Sequence, residues 1–134
     1  MFSKYIARQF GKPMGLGGVL STFIMNRQNG NLYESVLDNI NMQTNDKIFT
    51  INTLYFWIDT SKSFSEIKRT LKSNGIFLNV FYVKEFLDKI THTRYGYSKY
   101  TLEQITDMTE KSGLKVTRII EIQPNASFCI IAEK

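Results

Sequence analysis

The clearest indication of the fold is DKIFTINTLYFWIDTSKSFSEIKRTLKSNG, residues 46–75. It holds a short apolar run, IFTI, then an aromatic segment, then an amphipathic run closed by glycine. A run as short and apolar as IFTI predicts a strand buried on both faces. In the amphipathic run, Ser63 and Glu66 have the spacing of a capping box, and Gly75 suits a left-handed helix end. The stretch therefore predicts a strand, a loop and a helix, which is half of a nucleotide-binding α/β unit.

The residues after this stretch continue the α/β order. The β-branched and aromatic run IFLNVFYV predicts a second strand, parallel to the first because a helix connects them. Thr101 and Gln104 have capping-box spacing at the start of a helix that Gly113 ends. Two last strand patterns, LKVTRIIEIQ and SFCIIAEK, are joined by PNA and predict an antiparallel hairpin.

The residues before this stretch have helical patterns and no strand pattern. Apolar residues recur at helical spacing in FSKYIARQF, VLSTFIMNRQ and NLYESVLDNINMQ. We therefore divide the chain into an N-terminal helical cap, residues 1–45, and an α/β unit, residues 46–134. At 134 residues the two parts are expected to form one compact domain. The predicted class is α/β with about four strands, the last one antiparallel.

Composition limits the classes of protein to consider. A hydrophobic share of 43% and a charged share of 22% are typical of globular proteins. No run approaches the roughly 20 apolar residues of a membrane span, and Lys4 and Arg8 interrupt any signal-like start, so we expect a cytoplasmic protein. The net charge of +5 is scattered, which makes nucleic-acid binding a weaker alternative. The single cysteine, Cys129, is expected to be a buried free thiol.

Several of these stretches resemble the class I S-adenosylmethionine-dependent methyltransferases, in particular the small-molecule type called methyltransferase domain 11. The resemblance is carried by DKIFTINTLYFW, EIKRTLKSNGIFLNV, YTLEQITDMTEKSGLKVTRI, SFCIIAEK and, near the N-terminus, RQFGKPMG. It implies a partial Rossmann-like sheet in which the last strand lies between the second strand and LKVTRIIEI. It also implies S-adenosylmethionine as cofactor and a small molecule as substrate.

The glycine-rich turn that holds the cofactor in that family has no counterpart after IFTI. The sequence passes from NMQTNDK directly into this strand, so the resemblance implies an internal deletion at about Asp46 and Lys47 that removes the cofactor-binding half. The GLGG at residues 15–18 follows a proline-containing loop rather than a strand, and we interpret it as a joint between helices. The chain alone is therefore expected to be a weakly active or inactive methyltransferase.

The candidate site lies at the carboxyl end of the first predicted strand, where parallel sheets bind ligands, and in a tyrosine-rich loop. The resemblance implies cofactor contacts from Asn52, Thr53 and Leu54, and substrate contacts from Tyr55, Trp57, Arg94, Tyr95 and Tyr97. Packing of these aromatic residues on the core is the alternative, and a shortened chain favours it. The sequence shows no catalytic residue, zinc spacing or nucleophile triad, and His92, the only histidine, is interpreted as a surface residue.

A non-catalytic association module is the alternative function. Without the strands that precede it in the family, IFTI would be a sheet edge whose backbone groups lack partners on one side. Such an edge favours pairing with a second copy. We therefore expect a homodimer, formed by strand pairing or by exchange of the N-terminal helices.

Overall fold

The computed structural model describes residues 47–134 together with ten isolated residues nearer the N-terminus: Lys4, Tyr5, Met14, Gly15, Val19, Leu20, Phe23, Ile24, Arg27 and Gly30. Most of the predicted helical cap at 1–45 lies outside the described residues, as does Asp46 at the predicted junction. The same is true of GLGG apart from Gly15, and of the predicted helix exchange. No helix in the described part of the chain is long and apolar enough to cross a membrane.

A four-stranded mixed sheet is the centre of the fold. Its strands are β1 (Lys47–Ile51), β2 (Ile76–Tyr82), β3 (Lys115–Gln123) and β4 (Ser127–Glu133), in the spatial order β1-β2-β4-β3. β1 and β2 are parallel, whereas β4 is antiparallel to both of its neighbours. The predicted α/β class, the hairpin and the position of the last strand are confirmed.

Within residues 47–134, three α-helices connect the strands: α1 (Thr60–Thr70), α2 (Lys84–Leu87) and α3 (Leu102–Lys111). Two short 3₁₀ helices, Leu54–Phe56 and Thr91–Arg94, follow β1 and α2 respectively. α1 crosses from β1 to β2, which is why these two strands can be parallel.

The start of α1 corrects one prediction. Asp59, not Ser63, is the N-cap: its side chain accepts a hydrogen bond from the backbone N–H of Lys62 at 2.9 Å. Ser63 lies inside the helix, and its hydroxyl donates to the carbonyl of Asp59. Asp59 caps the helix because it lies one turn before Ser63, so a helix that begins after Asp59 contains more hydrogen-bonded residues.

The ends of the helices follow the predicted chemistry in one case and not in the other. The capping box of Thr101 and Gln104 is confirmed at the start of α3, and Gly113 follows that helix with a φ of 89°. After α1, however, the left-handed residue is Asn74, with a φ of 64°, and not Gly75. Asparagine tolerates this conformation better than other residues with side chains, so it can take the place predicted for glycine.

The core lies on both faces of the sheet. One face carries Phe77, Phe81 and Ile130, which pack with Phe64 of α1 and Ile105 of α3. The opposite face carries a smaller cluster of Ile51, Leu78, Val80 and Cys129. The prediction of a buried free cysteine is thus confirmed.

The prediction that IFTI is buried on both faces is wrong. Phe49, at the centre of β1, has 59% of its surface exposed. β1 is an outer strand of the described sheet, so its side chains have a neighbouring strand on one side only.

Candidate functional site

The candidate site is built where the parallel strands β1 and β2 end at the same edge of the sheet. Asn52 leaves β1 with a φ of 55°, while its backbone N–H still donates to the carbonyl of Val80 at 2.9 Å. This left-handed residue turns the chain sharply into the 3₁₀ helix Leu54–Phe56. The turn therefore places the side chain of Tyr55 directly over the space between the two strands.

The hydroxyl of Tyr55 joins the ends of the two strands. It donates to Oδ1 of Asn52 at 3.1 Å and accepts a hydrogen bond from the backbone N–H of Tyr82 at 2.5 Å. Burial raises the pKa of the Tyr55 phenol far above its ordinary value, so the group stays neutral. A neutral hydroxyl can donate and accept at once, and both of its roles are used here.

Tyr97, from the tyrosine-rich loop, covers Tyr55. The two rings are stacked with centroids 5.7 Å apart, and Tyr97 also meets Phe56 edge-on at 4.8 Å. Burial raises the pKa of Tyr97 to about 12, so this phenol is also neutral at physiological pH. We call Asn52, Tyr55, Tyr82 and Tyr97 the Tyr55 cluster.

Backbone bonds and ion pairs hold the tyrosine-rich loop in place. The N–H of Ser98 donates to the carbonyl of Tyr55 at 2.9 Å, and the N–H of Lys84 donates to the carbonyl of Tyr100 at 2.8 Å. The carboxylate of Asp88 forms ion pairs with both Lys84 and Lys99. The hydrogen bonds from these two lysines hold the pKa of the Asp88 carboxyl below its ordinary value. These contacts tie residues 95–100 to α2 and to the 3₁₀ helix after β1.

The structure brings only some of the predicted site residues together. Asn52, Tyr55 and Tyr97 meet in the Tyr55 cluster. The other predicted residues lie elsewhere. Leu54 is fully buried, and the Trp57 ring packs edge-on against Phe64 with centroids 5.5 Å apart. Thr53 and Arg94 are exposed, and the ring of Tyr95 lies 5.4 Å from Nζ of Lys4. Trp57 therefore contributes to the core rather than to an open pocket.

Two polar residues of β2 were not among the site residues predicted from the sequence. Tyr82 ends β2, stacks on Phe86 at 4.9 Å, and has a phenol whose pKa is raised by burial. Asn79 lies in the middle of β2 with 1% of its surface exposed, and its Oδ1 accepts from the hydroxyl of Thr50 at 2.9 Å. Its Nδ2 has no hydrogen-bond partner among the residues that the structure describes. An asparagine inside the apolar pattern IFLNVFYV is the signal that could have marked it.

His92 is half-buried rather than a simple surface residue. Its ring meets the Tyr97 ring edge-on at 6.4 Å, and burial lowers its pKa below the ordinary value. Among the described residues, no group of histidine, cysteine or carboxylate side chains could hold a metal ion.

No protein-family model and no curated protein matches the chain. Solved structures do match it. A methyltransferase of Thermotoga maritima is 16% identical with a TM-score of 0.57, and the match covers 70% of this chain and 60% of that one. An O-methyltransferase family 2 protein of Planctomyces limnophilus, complexed with apigenin, is 19% identical with a TM-score of 0.55, over 66% and 30% of the two chains.

A mycolic acid cyclopropane synthase complexed with S-adenosylhomocysteine is 13% identical with a TM-score of 0.56. That match covers 66% of this chain and 55% of the other. The chain thus spans between 30% and 60% of the length of these solved proteins. Its described part has the α/β fold of the S-adenosylmethionine-dependent methyltransferases, with the sheet represented by four strands.

Proposed function

We propose that this chain is the substrate-side half of a methyltransferase fold and that on its own it binds S-adenosylmethionine weakly or not at all. By ancestry its substrate is a small molecule. The chain acts as a methyltransferase only weakly or not at all, because the half of the fold that would hold the cofactor is deleted between the N-terminal segment and β1. The fold shared with solved methyltransferases supports the ancestry.

The observation that carries the proposal is the Tyr55 cluster. Ligands of parallel α/β sheets bind in the crevice beyond the carboxyl ends of the strands. Here the buried Tyr55 side chain occupies the space beyond β1 and β2, with its hydroxyl bonded to both strand ends. A ligand entering there would have to break two hydrogen bonds and displace the stacked Tyr97 ring.

The backbone near this end of the sheet gives further support. A cofactor's polar groups are usually approached by glycine-rich backbone at the start of a helix. From Lys47 to Asn74 the chain has no glycine, and Asp59, an anionic side chain, already caps α1. The first turn of α1 therefore has its own cap in place of a ligand.

Calorimetric titration of the full chain with S-adenosylmethionine tests the proposal. We expect no saturable heat up to about 1 mM ligand, the range in which a binding free energy is only about 4 kcal/mol. An intact methyltransferase of known affinity, titrated from the same ligand stock, is the positive control. Methyl transfer from labelled cofactor to small-molecule acceptors should remain at background.

A saturable isotherm with one ligand per chain would contradict the proposal. In that case Asn52→Ala and Thr117→Ala variants locate the ligand. Asn52 accepts from the Tyr55 hydroxyl at the candidate site, whereas Thr117 is exposed on β3 and bonds the carbonyl of Ile131. Binding lost only in Asn52→Ala would mean that the Tyr55 cluster opens to admit the cofactor.

A further inference from the structure

The two outer strands of the described sheet differ in the bulges and charges along their outer edges. β3 has two register shifts, between Val116 and Arg118 and between Glu121 and Gln123, and it carries the charged side chains Lys115, Arg118 and Glu121. Bulges and charges of this kind prevent edges from pairing with other chains. β1 pairs with β2 in unbroken register, and positions 48–51 hold neither a charge nor a proline. β1 therefore has no bulge, and its one charge is Lys47 at its first residue, whereas β3 has bulges and charges along its length.

The backbone of Phe49 points outward from this edge. In a parallel pair, a residue directs both its N–H and its C=O to the same neighbour, and the next residue directs both away. The N–H of Asn52 donates to Val80 of β2. By this alternation Thr50 also faces β2, while Phe49 and Ile51 face away from it. Among the described residues, no strand pairs with that side of β1.

We propose that a second copy of this chain pairs with the outer edge of β1, antiparallel and about a two-fold axis at Phe49. The two Phe49 residues would then form a hydrogen-bonded pair, each N–H donating to the other's carbonyl, with Cα atoms about 5.5 Å apart. Their side chains would lie on the same face of a continuous eight-stranded sheet. This contact would cover the aromatic ring that is 59% exposed in the single chain.

The residues of β1 favour a second copy over a different partner. A two-fold axis at Phe49 sets Phe49 against itself and Ile48 against Thr50 of the second copy, and phenylalanine against phenylalanine is a favourable cross-strand pair. No like charges meet around the centre, because residues 48–51 are uncharged. The dimer is independent of the cofactor proposal, because it needs neither an open nor a closed Tyr55 cluster.

Molar mass by size-exclusion chromatography with light scattering is the first test. A single strand pair is a small interface, so we expect dissociation in the micromolar range, seen as a rise from 15.6 kDa toward twice that mass between about 1 and 500 micromolar. A mass of 15.6 kDa throughout this range would overturn the proposal.

Charge substitution at Phe49 identifies the interface. Phe49→Lys and Phe49→Glu each set like charges face to face, and each should weaken the dimer at least about tenfold. An equimolar mixture of the two variants should dimerise again, which a misfolded variant could not do. The matched control is Ile119→Lys, since Ile119 is 44% exposed on the other outer strand. A dimer that survives Phe49→Lys, or that Ile119→Lys disrupts equally, would overturn the proposal.

Disulfide trapping tests the register. Phe49→Cys should form an interchain disulfide under mild oxidation, because the expected Cα separation lies within disulfide range. Cys129 should not compete, because burial raises the pKa of its thiol to about 11. Ile119→Cys is the control and should remain monomeric on a non-reducing gel. Equal trapping of both variants, or trapping of neither in a sample that light scattering shows to be dimeric, would contradict the Phe49 axis.

Discussion

The sheet has a parallel half, made of β1 and β2 with α1 between them, and an antiparallel half, made of β3 and β4. The buried Tyr55 closes the carboxyl end of the parallel half, and the outer edge of this half is regular and uncharged from residue 48 to 51. The antiparallel half has a short turn between its strands and an outer edge with bulges and charges. Both halves belong to one sheet, yet only β3 has an outer edge with both bulges and several charges.

The two outer edges differ in the features that keep an edge strand from pairing with another chain. An edge that evolved next to solvent is expected to carry protective features, as β3 does. An edge without them, as on β1, is typical of a strand that has or had a neighbour. The filled end of the same half is what the proposed deletion would produce, because a site without a cofactor has no ligand to keep it open.

The largest effect should come from the helix that joins the parallel strands. Phe64 of α1 is fully buried and lies edge-on to both Trp57 and Phe77. Phe64→Ala should lower the free energy of unfolding by about 3–5 kcal/mol, because it leaves a cavity between α1 and the sheet. Urea denaturation followed by circular dichroism measures it.

The counterpart on the antiparallel half is Ile119→Ala, which removes part of an apolar side chain that is 44% exposed. It should change the free energy of unfolding by no more than about 0.5 kcal/mol. Comparable losses in Phe64→Ala and Ile119→Ala would mean that the core does not depend on α1 as described.

The second effect concerns the closed end of the parallel half. Tyr55→Phe removes the acceptor of the Tyr82 N–H while keeping the ring and its stacking on Tyr97. Leaving this part-buried donor without its acceptor should cost about 1 kcal/mol in urea denaturation. Tyr95→Phe is the control, since Tyr95 is exposed and its described contact, with Lys4, involves the ring. A Tyr55→Phe protein as stable as Tyr95→Phe would show that the hydroxyl does not join the strands.

A third effect compares two asparagines with nearly the same backbone conformation, one in each half. Asn52 has a φ of 55° and Asn125, in the turn between β3 and β4, a φ of 54°. Glycine suits this conformation, so Asn125→Gly should stay within about 0.5 kcal/mol of the parent: the bond from Asn125 to Glu121 uses the backbone N–H, which glycine keeps. Asn52→Gly loses the side-chain oxygen that accepts from Tyr55 and should cost about 1 kcal/mol.

Thermal or urea unfolding of both glycine variants measures this difference. Equal stabilities would mean that Asn52 is kept for its backbone conformation alone. The Tyr55 cluster would then owe its stability to stacking and to the Tyr82 bond.

Local sequence signals account for the predicted helix start that was confirmed, whereas the predicted strand order came from another source. The capping box of Thr101 and Gln104 involves residues three apart, so it can be identified from spacing alone. Asp59 and Ser63 are both good caps, and spacing could not choose between them. The position of β4 between β2 and β3 came from the family resemblance, since strand order is a long-range property.

The parts that could not be predicted depend on contacts between distant residues. The bond between Tyr55 and Tyr82 joins residues 27 positions apart, and no local pattern marks such a pair. The exposure of Phe49 depends on what lies beside β1, whereas the pattern IFTI reports only how apolar the strand is. The unpartnered Nδ2 of Asn79 likewise follows from its position in the middle of the assembled sheet.

The smallest effect is a dependence of the free energy of unfolding on pH. It comes from a residue beside Tyr97, at the closed end of the parallel half. The chain has one histidine, His92, and histidine is the side chain that normally titrates between pH 5 and 8. Burial lowers the pKa of His92, so below pH 6.5 the unfolded chain binds a proton more readily than the folded chain does. The free energy of unfolding should therefore fall as the pH falls from about 6.5 toward the lower pKa of the folded chain. It should be fully regained when the pH is raised above about 6.5. The urea midpoint measured at about pH 7.5 and 5.5 should shift in the parent and shift less in His92→Gln. An identical shift in both proteins would assign the dependence to carboxylates, and the edge-on contact of His92 with Tyr97 would then have no part in stabilising the closed end.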